Sequence, residues 1–124
     1  MIFYDRNALP IDREQWAALL EDDTYRHVRY TEIISTVDLW SRCGVSTVWF
    51  GIDSSAGLLP MPLIFETMTF TTDPISEWDR YLERYPTLTH AQAGHVRLVT
   101  SVAATVLSPR LVDREPADLF GGQR

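Results

Sequence analysis

Two carboxylates stand where a carboxylate can do chemistry. Glu66 lies between Phe65 and Thr67, alternating with Ile64, Met68 and Phe70. A charge on an apolar strand face needs a partner, or it shifts its pKa and neutralises. It is a candidate general acid/base or cation ligand. The plainer reading is a structural ion pair with Arg29, Arg80 or Arg84 on a neighbouring strand. Asp53 closes an alternating segment and opens a Gly-containing loop. Strand-end carboxylates line sites, and they also tie turns by accepting backbone N–H bonds. An antiparallel pairing would bring the two segments together, in a register that the sequence leaves open.

The remaining reactive residues form no signature. His90 and His95 are five apart on a helical segment, so they diverge by about 140° and lack the i, i+4 spacing of a helical zinc pair. With His27 on a strand segment, they read as structural histidines. Cys43 is the only cysteine, which rules out an intrachain disulfide or a multi-cysteine zinc site. Beside Arg42 its thiol could be activated, but a buried, inert thiol is the simpler expectation. Ser46, Ser54 and Ser55 lack a nucleophile elbow. The absence of lysine rules out a phosphate-binding Gly-Lys loop, and there is no dinucleotide fingerprint. Trp40, Trp49, Trp78, Tyr81 and Tyr85 offer a stacking platform on paper, although core and interface packing suits an acidic chain better. No catalytic residue, metal or cofactor is assigned. The weak binding candidates are Asp53, Glu66, Trp49, Trp78, Tyr81 and Tyr85.

The chain has 124 residues, a formal charge of −6 and eleven basic residues, all arginine. Its length fits one domain, and its 45% hydrophobic fraction is ordinary for a globular protein. Net negative charge disfavours general nucleic-acid binding. No run approaches a membrane span, and the first residues do not read as a signal peptide. A cytoplasmic domain is expected.

The elements follow from pattern. Asp12 and Gln15 predict a capping box before a helix carrying Trp16, Leu19 and Leu20 on one side. The segments 25–36, 45–53 and 63–71 read as strands, with 45–53 central. Segment 78–85 alternates with charges on both faces and reads as an edge strand. Thr87 caps a second helix with Ala91, His95, Val99 and Val102 on one stripe. This order predicts an α+β domain over residues 1–112, with an antiparallel sheet of about four strands and an N-terminal and a C-terminal helix packed on one face. Residues 113–124 read as a mobile tail, with Leu119 and Phe120 as a docking patch.

The segments VSTVWFGID (45–53), PLIFETMTF (62–70), Arg84-Tyr85 and Ala91-Gln-Ala-Gly-His95 resemble a family of small hypothetical proteins of actinobacteriophages and actinobacterial prophages. Tyr4-Asp5-Arg6-Asn7, Pro10-Ile11, Trp16-Ala17 and Glu21-Asp22 extend the resemblance, which runs from about residue 4 to residue 99. It departs at Ser54-Ser55-Ala56, where the family often has a histidine and an aromatic, and at Leu88-Thr89-His90, in place of an acidic helix start. The resemblance implies a phage-type origin in a bacterial host cytoplasm and carries no mechanism. The expectation is a non-enzymatic protein-binding module that modulates a host or defence complex. The alternatives are a virion or assembly component, with homo-oligomerisation, and a small carboxylate enzyme or ligand-binding domain built on Asp53 and Glu66.

Overall fold

A computed structural model describes residues 1–38, 40–53, 57–73 and 75–119. In chain order the elements are β1 (Phe3–Tyr4), β2 (Pro10–Ile11), α1 (Arg13–Glu21), α2 (Asp23–Arg26), β3 (His27–Ser35), β4 (Arg42–Trp49), β5 (Phe65–Thr71), β6 (Leu82–Tyr85), α3 (Leu88–Ala103), β7 (Pro109–Arg114) and α4 (Pro116–Leu119). β1 and β2 form a two-stranded sheet. The other five strands form one sheet in the order β6-β5-β4-β3-β7, with every neighbouring pair antiparallel.

The architecture is α+β, but it differs from the expectation of four strands between two terminal helices. The sheet has a fifth strand, there is a second small sheet, and apart from α3 the helices are short. The fifth strand is the main correction. β7 leaves α3 through Ser108, which has a positive φ of 47°, and pairs along β3 from Ser35↔Pro109 to Tyr30↔Arg114. No residue of β7 is buried, so little alternation is imposed on its sequence. Pro109, the residue that predicts a stop after α3, occupies the first position of this strand, where a missing N–H is tolerated. Asp113 and Arg114, assigned to the tail by sequence, are its last residues. Phe120 and residues 121–124 lie outside the described residues, as do Ser54–Ala56 and Pro74.

Local chemistry sets the helix ends. Asp12 accepts the Gln15 N–H at 2.8 Å while the Gln15 side chain accepts the Asp12 N–H at 3.0 Å, a reciprocal capping box. Asp22 ends α1 and caps α2 through the N–H groups of Thr24 and Tyr25. Asp12→Ala is expected to lower stability by about 1 kcal/mol. A urea midpoint unchanged from wild type would contradict that role.

One face of the sheet holds the core. On β4, Cys43, Val45, Thr47 and Trp49 are buried, while Ser46 and Val48 on the opposite face are half-buried. Ile33, Cys43 and Val45 pack against Leu98, Val99 and Val102 of α3. Trp49, Phe65 and Tyr85 pack against Ala91, with Trp16, Leu19 and Tyr25 from α1 and α2 around them. Thus α1, α2 and α3 all lie on the same face. Gly51 has a φ of 74° and lies against Trp49, the Tyr4 carbonyl and Trp16, so the chain turns there where no side chain would fit.

Candidate functional site

Threonines recur on the helix-covered face where aliphatic residues would be ordinary. Thr31 on β3, Thr47 on β4, and Thr67 and Thr69 on β5 are fully buried. Thr47 and Thr67 are direct cross-strand partners, and the stripe of α3 lowers His95 onto them. His95 is 0% exposed. Its Nε2 lies 2.8 Å from Thr31 Oγ1 and its Nδ1 2.6 Å from Thr47 Oγ1. Thr47 and Thr67 hydroxyls are 2.5 Å apart, and Thr31 donates to Asp113 on β7 at 2.5 Å. Tyr85 and Tyr81 both donate to Glu83, which also pairs with Arg97 of α3. One hydrogen-bonded path therefore runs from β7 through β3 and β4 to β5, and a separate cluster around Glu83 ties β6 to α3.

Donor counting fixes its direction. A carboxylate only accepts, so the single Thr31 proton goes to Asp113. Thr31 must then accept from His95 Nε2–H, which leaves Nδ1 as an acceptor for the Thr47 proton and turns the Thr67 proton toward Thr47. A neutral Nε2–H imidazole satisfies every one of these groups. Burial pushes His95 down to about 4, with the Arg29 charge acting the same way against Asp113. Asp113 is held below the ordinary carboxylate range by hydrogen bonds from Arg29 and Thr31. Burial would raise Glu83, but hydrogen bonds from Arg97, Tyr81 and Tyr85 outweigh it and hold the carboxyl low.

This has a pH consequence. Between about pH 6.5 and 4 an unfolded His95 binds a proton that the folded one refuses. The unfolded state then carries more protons, and stability falls as the pH falls. The loss begins below pH 6.5 and is complete near pH 4, amounting to about 3 kcal/mol. Urea titrations across this window check it, and a flat wild-type profile would contradict it.

Thr47, His95 and, through Thr31, Asp113 lie in the order of a nucleophile, a base and an orienting acid. Thr47 and His95 are both 0% exposed beneath α3, so a substrate reaches neither without unseating that helix. What the arrangement does chemically is satisfy buried polar groups.

The candidates read from sequence are dispersed around this network. Asp53 accepts the N–H groups of Gly57 at 3.2 Å and Leu63 at 3.3 Å, and so ties the loop after β4. Glu66 is on the face opposite α3, with Arg84 as its cross-strand neighbour and ion-pair partner at 3.6 Å. The two carboxylates thus answer to different partners. Trp49 is buried edge-on to Tyr25 at 4.9 Å, and Tyr85 is buried under α3. Trp78 and Tyr81 meet edge-on at 5.4 Å, with Trp78 against the core and Tyr81 on the rim. The aromatics therefore build no common platform. Cys43 is buried, and burial pushes its thiol up to about 11. His27 is half-buried near Glu115, at 4.0 Å; burial lowers it. Among the described residues no group of three or more His, Cys, Asp or Glu side chains is placed to hold a metal ion.

Sequence reasoning missed the threonines and the open sheet face. The signal for the first was present: Thr31, Thr47, Thr67 and Thr69 fall on interior-facing positions of their strands. On the other face, Phe70 is 48% exposed and faces Gly44 across the ladder. The Tyr30 hydroxyl lies over Gly44, where any side chain would collide with it. Tyr30, Gly44 and Phe70, with Glu32 and Arg42, line a shallow groove of about 310 Å³.

No described helix is long and apolar enough to cross a membrane. Comparison of the chain with family models, with curated proteins and with solved structures finds no match.

Proposed function

We propose that this chain is a non-enzymatic protein-binding module, a phage-type accessory protein that acts in the host bacterial cytoplasm by occupying a partner protein through the uncovered face of its five-stranded sheet. One observation carries the reading: α1, α2 and α3 all pack on one side, leaving the other with Met68, Phe70, Leu82 and Val48 on adjoining strands. An uncovered sheet face with a half-exposed aromatic beside a groove is suited to anchoring a partner side chain. The inward polar groups support the same reading, because the network engages them within the fold.

Phe70→Glu tests it. The side chain is half-exposed, so the fold is expected to survive, with circular dichroism and thermal midpoint close to wild type. Affinity capture from an actinobacterial lysate is expected to recover a partner with wild type and lose it with Phe70→Glu. Identical recovery by both proteins would refute the assignment of this face.

A further inference from the structure

Resting on that reading, we infer that the partner presents an acidic segment to the open face. The register assigns this face its charges. Arg84 stands beside Glu66, and Arg42 and Arg110 flank Ile34 on either side, while Arg114 and Glu32 lie on adjoining strands. Four arginines thus face two glutamates, an excess of two positive charges on a chain of formal charge −6. The distribution is uneven as well as positive. Glu32 is shared between Arg42 at 3.2 Å and Arg114 at 3.6 Å, so one carboxylate answers two guanidinium groups. Both Arg42 and Arg114 retain substantial side-chain exposure.

Charge complementarity then selects the occupant. A second copy would bring the same positive excess against this one, and like charges across an interface are disfavoured. A polynucleotide would set a denser row of charges against the two interleaved glutamates and the net charge of −6, and would find no shared aromatic platform for its bases. An acidic polypeptide matches the arginines locally, fits a planar carboxylate to a guanidinium fork, and supplies apolar side chains for the groove between Tyr30 and Phe70. Because the whole chain repels polyanions, binding of one at this face would report local complementarity.

The test uses poly-L-glutamate as probe and the backbone amide spectrum of the full chain as readout, with poly-L-lysine and oligothymidylate as comparison probes. Poly-L-glutamate is expected to shift amides of β3, β4, β5 and β7 around the groove, to be displaced by added salt, and to bind about tenfold more weakly to the double variant Arg110→Glu, Arg114→Glu. Arg84→Gln, which replaces an exposed side chain on the opposite edge, serves as a second variant should the first lose its native spectrum; a weaker loss of binding is expected. Shifts confined to α3, equal binding of poly-L-lysine, tighter binding of oligothymidylate, or concentration-dependent pairing of two copies through this face would each overturn the inference. If poly-L-glutamate fails to bind while Phe70→Glu still abolishes capture, the acidic partner is refuted and the docking face stands. If Phe70→Glu also captures normally, both fall.

Discussion

His95→Ala is expected to cost the fold about 4 kcal/mol, a large share of the roughly 5–15 kcal/mol that holds a domain of this size together. Two effects add. Removing a fully buried imidazole leaves a cavity. It also strands hydroxyls, since Thr31 loses the donor at 2.8 Å and Thr47 the acceptor at 2.6 Å, and a buried polar group without a partner costs about 1–3 kcal/mol. His95→Gln restores a donor and an acceptor in a similar volume and is expected to recover part of the loss. Both variants should also lose the part of the fall in stability between pH 6.5 and 4 that His95 causes, keeping only the contribution of His27. The pair of measurements separates packing from titration. A urea unfolding energy within 1 kcal/mol of wild type for His95→Ala, with the acid slope retained, would mean that the network has been misassigned.

Gly94→Ala sets two principles against each other. In a helix interior, alanine is favoured over glycine by about 1 kcal/mol, so propensity alone predicts stabilisation. At Gly94, however, an added Cβ would collide with the Cε1, Cζ and hydroxyl atoms of Tyr85. Tyr85 is wedged between β6 and α3, its hydroxyl tied to Glu83, so the ring has no easy retreat. Overpacking of this kind costs about 1–3 kcal/mol, and the backbone shift that relieves it would pull His95 from its threonines. The expected net result is a destabilisation of about 2 kcal/mol, seen as a thermal midpoint lower by about 10 °C. Tyr85→Leu in the Gly94→Ala background should recover part of it. A midpoint at or above wild type for Gly94→Ala alone would show that α3 sits farther from the sheet than described.

Elements whose signals are local were legible in the sequence. The Asp12–Gln15 box, the Thr87 cap and the alternation of Val45, Thr47 and Trp49 each depend on residues a few positions apart, and each holds in the structure. The Glu66–Arg84 ion pair is among those the sequence offers for that carboxylate, because segment 78–85 reads as an edge strand carrying Arg80 and Arg84. What was hidden depends on tertiary pairing. β7 is a strand only because β3 has an edge to offer and Asp113 reaches Thr31 and Arg29. His95 could be read as structural, but the partners that make it so come from two strands, at separations of 48 and 64 residues. The open face was hidden for a related reason: alternation shows that a strand has two faces, and only the placement of α1, α2 and α3 shows which one they leave uncovered.

The direct test of the central claim is a hydroxyl-radical footprint of the chain in buffer and in actinobacterial lysate. Met68 and Phe70 should become protected in the lysate, while Val96 and Leu107, exposed away from that surface, react as before. Protection of Val96 with Met68 and Phe70 unchanged would move the working surface to the helix side and contradict the account.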